Sequence, residues 1–253
     1  MATKPSLNNE WQAFWLAVGF LTRIPMLAQI NYSQRLMNKS SLYFPLVGLL
    51  LGIIYVVAFT LFSLVASPLV AIVLVLIAHL FITGAFHEDG LADSIDALGG
   101  GYTVKKRLEI MKDSRIGTYG TVALVMALLL KVALLMEVEH IWLALLAAPA
   151  ISRLTPLLLM ATLPYVTDPD KSKSKPVPDE FSNARLTIAA AFVLILSATL
   201  SFWHPLLIIG TLPAVLLVAL CWGAYLRGQL GGHTGDALGA SVVFSELVLL
   251  MFL

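Results

Sequence analysis

Four carboxylates fall within nine residues of the stretch FHEDGLADSIDALGGG (residues 86–101): Glu88, Asp89, Asp93 and Asp96. No Lys or Arg interrupts them, and the apolar run PLVAIVLVLIAHLFITGA comes just before. On a helix over 88–98, Asp89, Asp93 and Asp96 occupy i, i+4 and i+7 and share one face. Like charges so placed repel unless a cation lies between them. Hard oxygen donors of this kind suit Mg²⁺ or Mn²⁺, and Mg²⁺ usually takes few protein carboxylates together with substrate phosphates. Gly90 is expected to let a phosphate group approach the backbone. Asp236, in RGQLGGHTGDALGA (227–240), can complete the site from another helix. The plain alternative, a solvated acidic helix beside a membrane, is weakened by the unmixed sign of the face.

Positive charge follows in KKRLEIMKDSRIGTYG (105–120). Lys112 and Arg115, three apart, are expected to share a helix face and neutralise phosphate oxygens. Lys105, Lys106 and Arg107 are expected to anchor the chain at a membrane surface. Arg153, in the middle of LAAPAISRLTPLLLM, is an intramembrane charge and therefore a functional candidate. Its structural role would be an ion pair with Glu246. Lys131 is expected to snorkel, His87 and His233 to hydrogen-bond beside the acidic elements, and His79 to pack. KSKSKPVPDE (171–180) reads as a flexible cytoplasmic loop.

The elements that must position these residues are apolar. Of 253 residues 59% are apolar and 12% charged, against about 25% charged in soluble domains. The fold class is all-α: a polytopic integral membrane helix bundle, one membrane-embedded domain over 1–253. About seven spans are expected, at 42–65, 68–86, 117–136, 141–163, 185–203, 205–226 and 237–253, with a possible amphipathic interfacial helix within 11–30. A barrel would show short alternating strands instead. Net charge of +1 recruits no nucleic acid, the single Cys221 builds no disulfide framework, and no cleaved signal peptide is expected. The Lys and Arg residues gather in alternate connections, whereas 66–67, 137–140 and 204 have none. The positive-inside rule then places the N-terminus in the cytoplasm. The loops about 87–116, 164–184 and 227–236 share that side.

HEDGLADSIDALGGG followed by RLEIMKDSRIGTYG resembles the signature of the cobalamin synthase family, the adenosylcobinamide-GDP ribazoletransferases. So do FWLAVGFLTRIP (14–25), YFPLVGLLLG (43–52), PAISR (149–153) and GGHTGDALGA (231–240). The resemblance implies Mg²⁺-dependent transfer of the adenosylcobinamide phosphate moiety from adenosylcobinamide-GDP to α-ribazole or its 5′-phosphate. GMP is released, in the bacterial inner membrane. It implies a metal held by Glu88, Asp89, Asp93 and Asp96, with Mn²⁺ as a substitute. Asp96 or Asp236 would serve as base, with Lys112 and Arg115 on phosphate. Gly90, Arg153 and His233 would line the substrate. Partners would be the two small-molecule substrates, the lipid bilayer and other membrane-associated corrin-pathway enzymes. A looser resemblance to CDP-alcohol phosphotransferases, the enzymatic alternative, departs where that pattern has Arg and this chain has Asp93. A cation-coupled transporter is the second class; against it, the carboxylates lie at one edge rather than the midplane. A structural scaffold, the third, would have no use for an unmixed acidic face.

Overall fold

Proline or glycine stands at several of the helix ends. The computed structural model describes residues 7–27, 29–166, 178 and 182–253. Its described residues form α1 (Leu7–Leu21), α2 (Gln34–Ser40), a 3₁₀ turn (Ser41–Tyr43), α3 (Phe44–Phe62), α4 (Pro68–Thr83), α5 (Phe86–Gly100), α6 (Val104–Ile110), α7 (Thr118–Glu137), α8 (Ile141–Ser152), α9 (Thr155–Thr162), α10 (Asn183–Leu200), α11 (Leu206–Leu230) and α12 (Gly235–Leu250). Pro45, Pro68 and Pro156 stand in the first turns of α3, α4 and α9, where a missing N–H costs nothing. Most of the 164–184 loop lies outside the described residues.

Five segments are long and apolar enough to cross a membrane: Gln34–Phe62, Thr118–Glu137, Ile141–Thr162, Asn183–Leu200 and Leu206–Leu230. The chain is a multi-pass helical membrane protein. Seven spans were expected, and two of them differ. The run at 68–86 ends as a helix at Thr83, and α5 leaves it at an angle of 86°; counted together, the pair makes a sixth span. The last apolar run yields α12, whose 16 residues rise about 24 Å, short of the ~30 Å hydrocarbon core. Most of α12 is buried within the protein rather than facing lipid. The interfacial candidate becomes α1, with Ala13, Ala17, Val18 and Leu21 buried and Trp11 exposed.

The α4–α5 corner is built from Gly84 (φ 67°) and Ala85 (φ 55°), the latter being the one non-glycine at positive φ among the described residues. Left-handed alanine costs ~1–2 kcal/mol. Arg23 braces the corner: its N–H donates to the Ile82 carbonyl at 2.7 Å, and its guanidinium occupies the space where a Gly84 side chain would stand.

The segment Ile141–Thr162 (α8 and α9) is the most deeply buried span. It crosses α3 backbone to backbone: a Cβ at Gly48 would collide with the Pro149 carbonyl, and one at Gly52 would lie 2.6 Å from the Leu146 oxygen. Small residues allow such approach in membranes, where dispersion replaces the hydrophobic drive. Gly48→Ala is therefore expected to destabilise by about 1–3 kcal/mol through overpacking. Leu46→Ala, at an exposed position, should change stability by less than about 0.5 kcal/mol. Thermal unfolding in detergent checks both.

Candidate active site

α5 and α12 touch at glycines. A Cβ at Gly90 would lie 2.7 Å from the Asp236 carbonyl oxygen and 3.2 Å from its Cα, and one at Gly239 would lie 3.5 Å from the Cα atoms of Gly90 and His87. The N-terminus of α12 thus rests on α5. Thr234 caps it, its Oγ1 accepting from the Ala237 N–H at 3.2 Å. The contact sets Asp236 beside the acidic face, where Asp236 feels the charge of Asp89, and Asp93 that of Asp89, Asp236 and Asp96. Asp89 is exposed; Asp93 and Asp236 are half-buried. Among the described residues none of these four carboxylates has an ion-pair partner.

Unneutralised carboxylates meeting across two helices fit a hard dication. Among the described residues no three His, Cys, Asp or Glu side chains converge closely enough to hold a metal unaided. A dication here would have to take its remaining ligands from phosphate and water, as Mg²⁺ commonly does.

Several expected site residues stand elsewhere. Glu88 is buried, and its Oε1 pairs with His79 Nε2 at 2.8 Å; His79 Nδ1 in turn meets the Tyr55 hydroxyl at 2.7 Å. One residue along a helix turns a side chain by about 100°, so Glu88 faces the bundle while Asp89 faces out. Asp96 is committed too: its Oδ2 accepts the Gly117 N–H at 2.6 Å and its Oδ1 the Gly120 N–H at 2.8 Å. Gly90 offers no room to a phosphate, because the backbone of Asp236 fills it. Arg153 is 1% exposed; its Nη1 donates to the Pro149 carbonyl at 2.6 Å and lies 3.8 Å from Glu246. The expected ion pair with Glu246 is therefore present, while Arg153 Nε and Nη2 find no hydrogen-bond partner among the described residues. Lys131 does not snorkel, but pairs with Glu246 at 2.5 Å.

Lys112 and Arg115 do not share a helix face, since α6 stops at Ile110 and residues 111–117 form a turn. Arg115 is exposed, and its Nε and Nη2 donate to the Asp113 carboxylate at 3.0 and 2.6 Å. These hydrogen bonds hold Asp113 down at about 2 and raise Arg115. The turn starts near the acidic site, because the Thr234 hydroxyl meets Met111 Sδ at 3.6 Å.

His233 is fully buried against Tyr165, with ring centroids 5.5 Å apart. Its main chain pairs with strand-like residues 164–166: the His233 N–H donates to Pro164 O at 2.9 Å, and Val166 N–H to His233 O at 3.0 Å. Among the described residues neither ring nitrogen finds a hydrogen-bond partner. Burial pushes it down to about 4, with the Thr234 backbone opposing.

A broken helix pair carrying an acidic site, set among bilayer-length apolar helices, defines a polytopic helical membrane protein with polar chemistry at its helix ends. Residues 13–253 match the cobalamin-5-phosphate synthase family, and the chain belongs to that family. Curated relatives named adenosylcobinamide-GDP ribazoletransferase include those of Shewanella pealeana (44% identical, covering 97% of this chain and 96% of the relative), Vibrio parahaemolyticus (41%; 98% and 94%) and Vibrio cholerae (41%; 98% and 95%). No solved structure matches.

His233 gives a pH prediction. Unfolded, it takes up its proton near 6.5; folded, near 4. Between those values the unfolded state binds more protons, so stability falls as pH drops through that window. Detergent melts from pH 7 to 4.5 should show a shallower decline in His233→Asn than in the wild type.

Proposed function

We propose that the chain joins adenosylcobinamide-GDP to α-ribazole or α-ribazole 5′-phosphate and releases GMP, the final assembly of the cobalamin nucleotide loop. The gathering of Asp89, Asp93 and Asp236 at the α5–α12 contact, close enough to feel one another's charge, beside the basic turn 111–117, carries this reading. Membership of the family, whose relatives bear that activity in their names, favours it over the transporter and CDP-alcohol alternatives.

The reaction is a phosphoryl transfer. A ribose hydroxyl attacks the cobinamide-side phosphorus, the P–O bond to the GMP phosphate breaks, and GMP departs with the bridging oxygen. Such transfers depend on positioning and charge stabilisation. Asp89 and Asp93 would hold Mg²⁺, with Mn²⁺ as a substitute; when bound, the ion supplies charge neutralisation for the pyrophosphate. Asp236, half-buried and without an ion-pair partner, accepts the proton of the attacking hydroxyl. Its rival for that role, Asp96, already receives two backbone N–H groups. Lys112 and Arg115 bind phosphate oxygens, Arg115 exchanging its Asp113 partner for substrate. The charge pattern of the loops supports a site facing the cytoplasm of an inner membrane, N-terminus inside.

GMP release by the detergent-purified protein, given both substrates and Mg²⁺, tests this. Release should stop with EDTA, Asp93→Asn should weaken activation by Mg²⁺, and Asp236→Asn should lose at least about 10²-fold in kcat, the usual range for acid–base groups. Full activity in EDTA would rule out the metal, and full activity in Asp236→Asn would rule out the base.

A further inference from the structure

α7 starts without a cap of its own. Its N-cap position is Gly117, no side chain of the segment satisfies its first N–H groups, and no acidic residue lies in its first turn. By contrast α2, α6 and α12 are each capped locally by Ser33, Thr103 and Thr234. The missing acceptor comes from α5, in the bond pair from Gly117 and Gly120 N–H to the two Asp96 oxygens described above. A carboxylate at a helix N-terminus gains from both the orphan donors and the helix dipole, and bonds of this length are charge-assisted. The sequence of α7 is fitted to it. A Cβ at Gly117 would lie 2.5 Å from Asp96 Oδ1, one at Gly120 would collide with Oδ2, and Gly99 of α5 lies against the Tyr119 ring, 2.8 Å from where its Cβ would be.

We infer that Asp96 is a positioning residue. It fastens the far end of the turn 111–117 to α5, while Met111 fastens the near end to Thr234, so that the turn forms a basic strap tied to both acidic helices. One tie is three residues from Asp93, the other two residues from Asp236. Lys112 and Arg115 lie between the ties. Asp96 therefore acts on substrate through the strap: it is neither a base nor a metal ligand. This rests on the reading above that Lys112 and Arg115 bind the donor's phosphates.

Two measurements on the full-length protein in detergent separate the parts. Hydrogen exchange read by mass spectrometry should show faster exchange in peptides covering 112–121 of Asp96→Asn, with peptides from the middle of α7 unchanged. Gly120→Ala should do the same by displacing the Asp96 carboxylate without removing any acidic residue. In steady-state kinetics, Lys112→Ala should raise KM for adenosylcobinamide-GDP about tenfold or more, the size of a lost charged hydrogen bond. Asp96→Asn should match that rise with kcat within a few-fold, and the double variant should be no worse than either single one. Unchanged exchange in Asp96→Asn would overturn the strap, as would a collapse of kcat at constant KM, or additive effects in the double variant. An unchanged KM in Lys112→Ala, with exchange accelerated in Asp96→Asn, would instead sink the phosphate role of the turn and keep Asp96 as the cap of α7.

Discussion

The carbonyl of Asp236 sits where any side chain at position 90 would have to go, and the arrangement of charge follows from that contact. Carboxylates on separate helices drift apart unless packing holds them. Here Gly90 on one helix and Gly239 on the other let the backbones come close enough for apolar contact to oppose the repulsion. The mutual repulsion of Asp89, Asp93 and Asp236 is therefore held in the fold rather than dispersed. The corner at Gly84 and Ala85 serves the same end. By turning α5 86° away from α4, it returns Glu88 to His79 and leaves Asp89 and Asp93 free of the bundle.

Burial divides one short motif into three kinds of carboxylate. Glu88 is sealed against His79, Asp96 is taken up by the start of α7, and Asp89 and Asp93 retain unpaired oxygens. Periodicity put Asp89, Asp93 and Asp96 on one face, because a helical wheel ranks side chains by angle alone, and the resemblance added Glu88. What separates them is the neighbour each one meets, and those neighbours are 9 to 24 residues away in sequence.

Much of the architecture was legible. Apolar run lengths identified the helical membrane class, the helix over 88–98 on which the acidic face was drawn is present as part of α5, and the pairing of Arg153 with Glu246 was the structural alternative offered for two charges in hydrocarbon. The span count was less so. Hydropathy registers an apolar segment without saying whether lipid or protein surrounds it, and α12 is apolar because it is buried in the bundle. The turn at 111–117 was missed as well: Lys112 and Arg115 have helical spacing, but Asp113 draws Arg115 into a local pair that competes with helix. Asp96 had a signal that could have been used, since GTYG offers a helix start with no capping side chain of its own.

The buried charges Lys131, Glu246 and Arg153 join α7, α12 and the break between α8 and α9. Removing one partner from such a set is costly, because it strands the others in a low dielectric. A slide of α12 along its axis would do the same, so the triad acts as a detent that fixes the helix's depth. Glu246 and Asp236 lie on that one rigid rod, about 15 Å apart at 1.5 Å per residue. The height at which Asp236 meets α5 is therefore gauged by buried ions about three turns farther along the same helix.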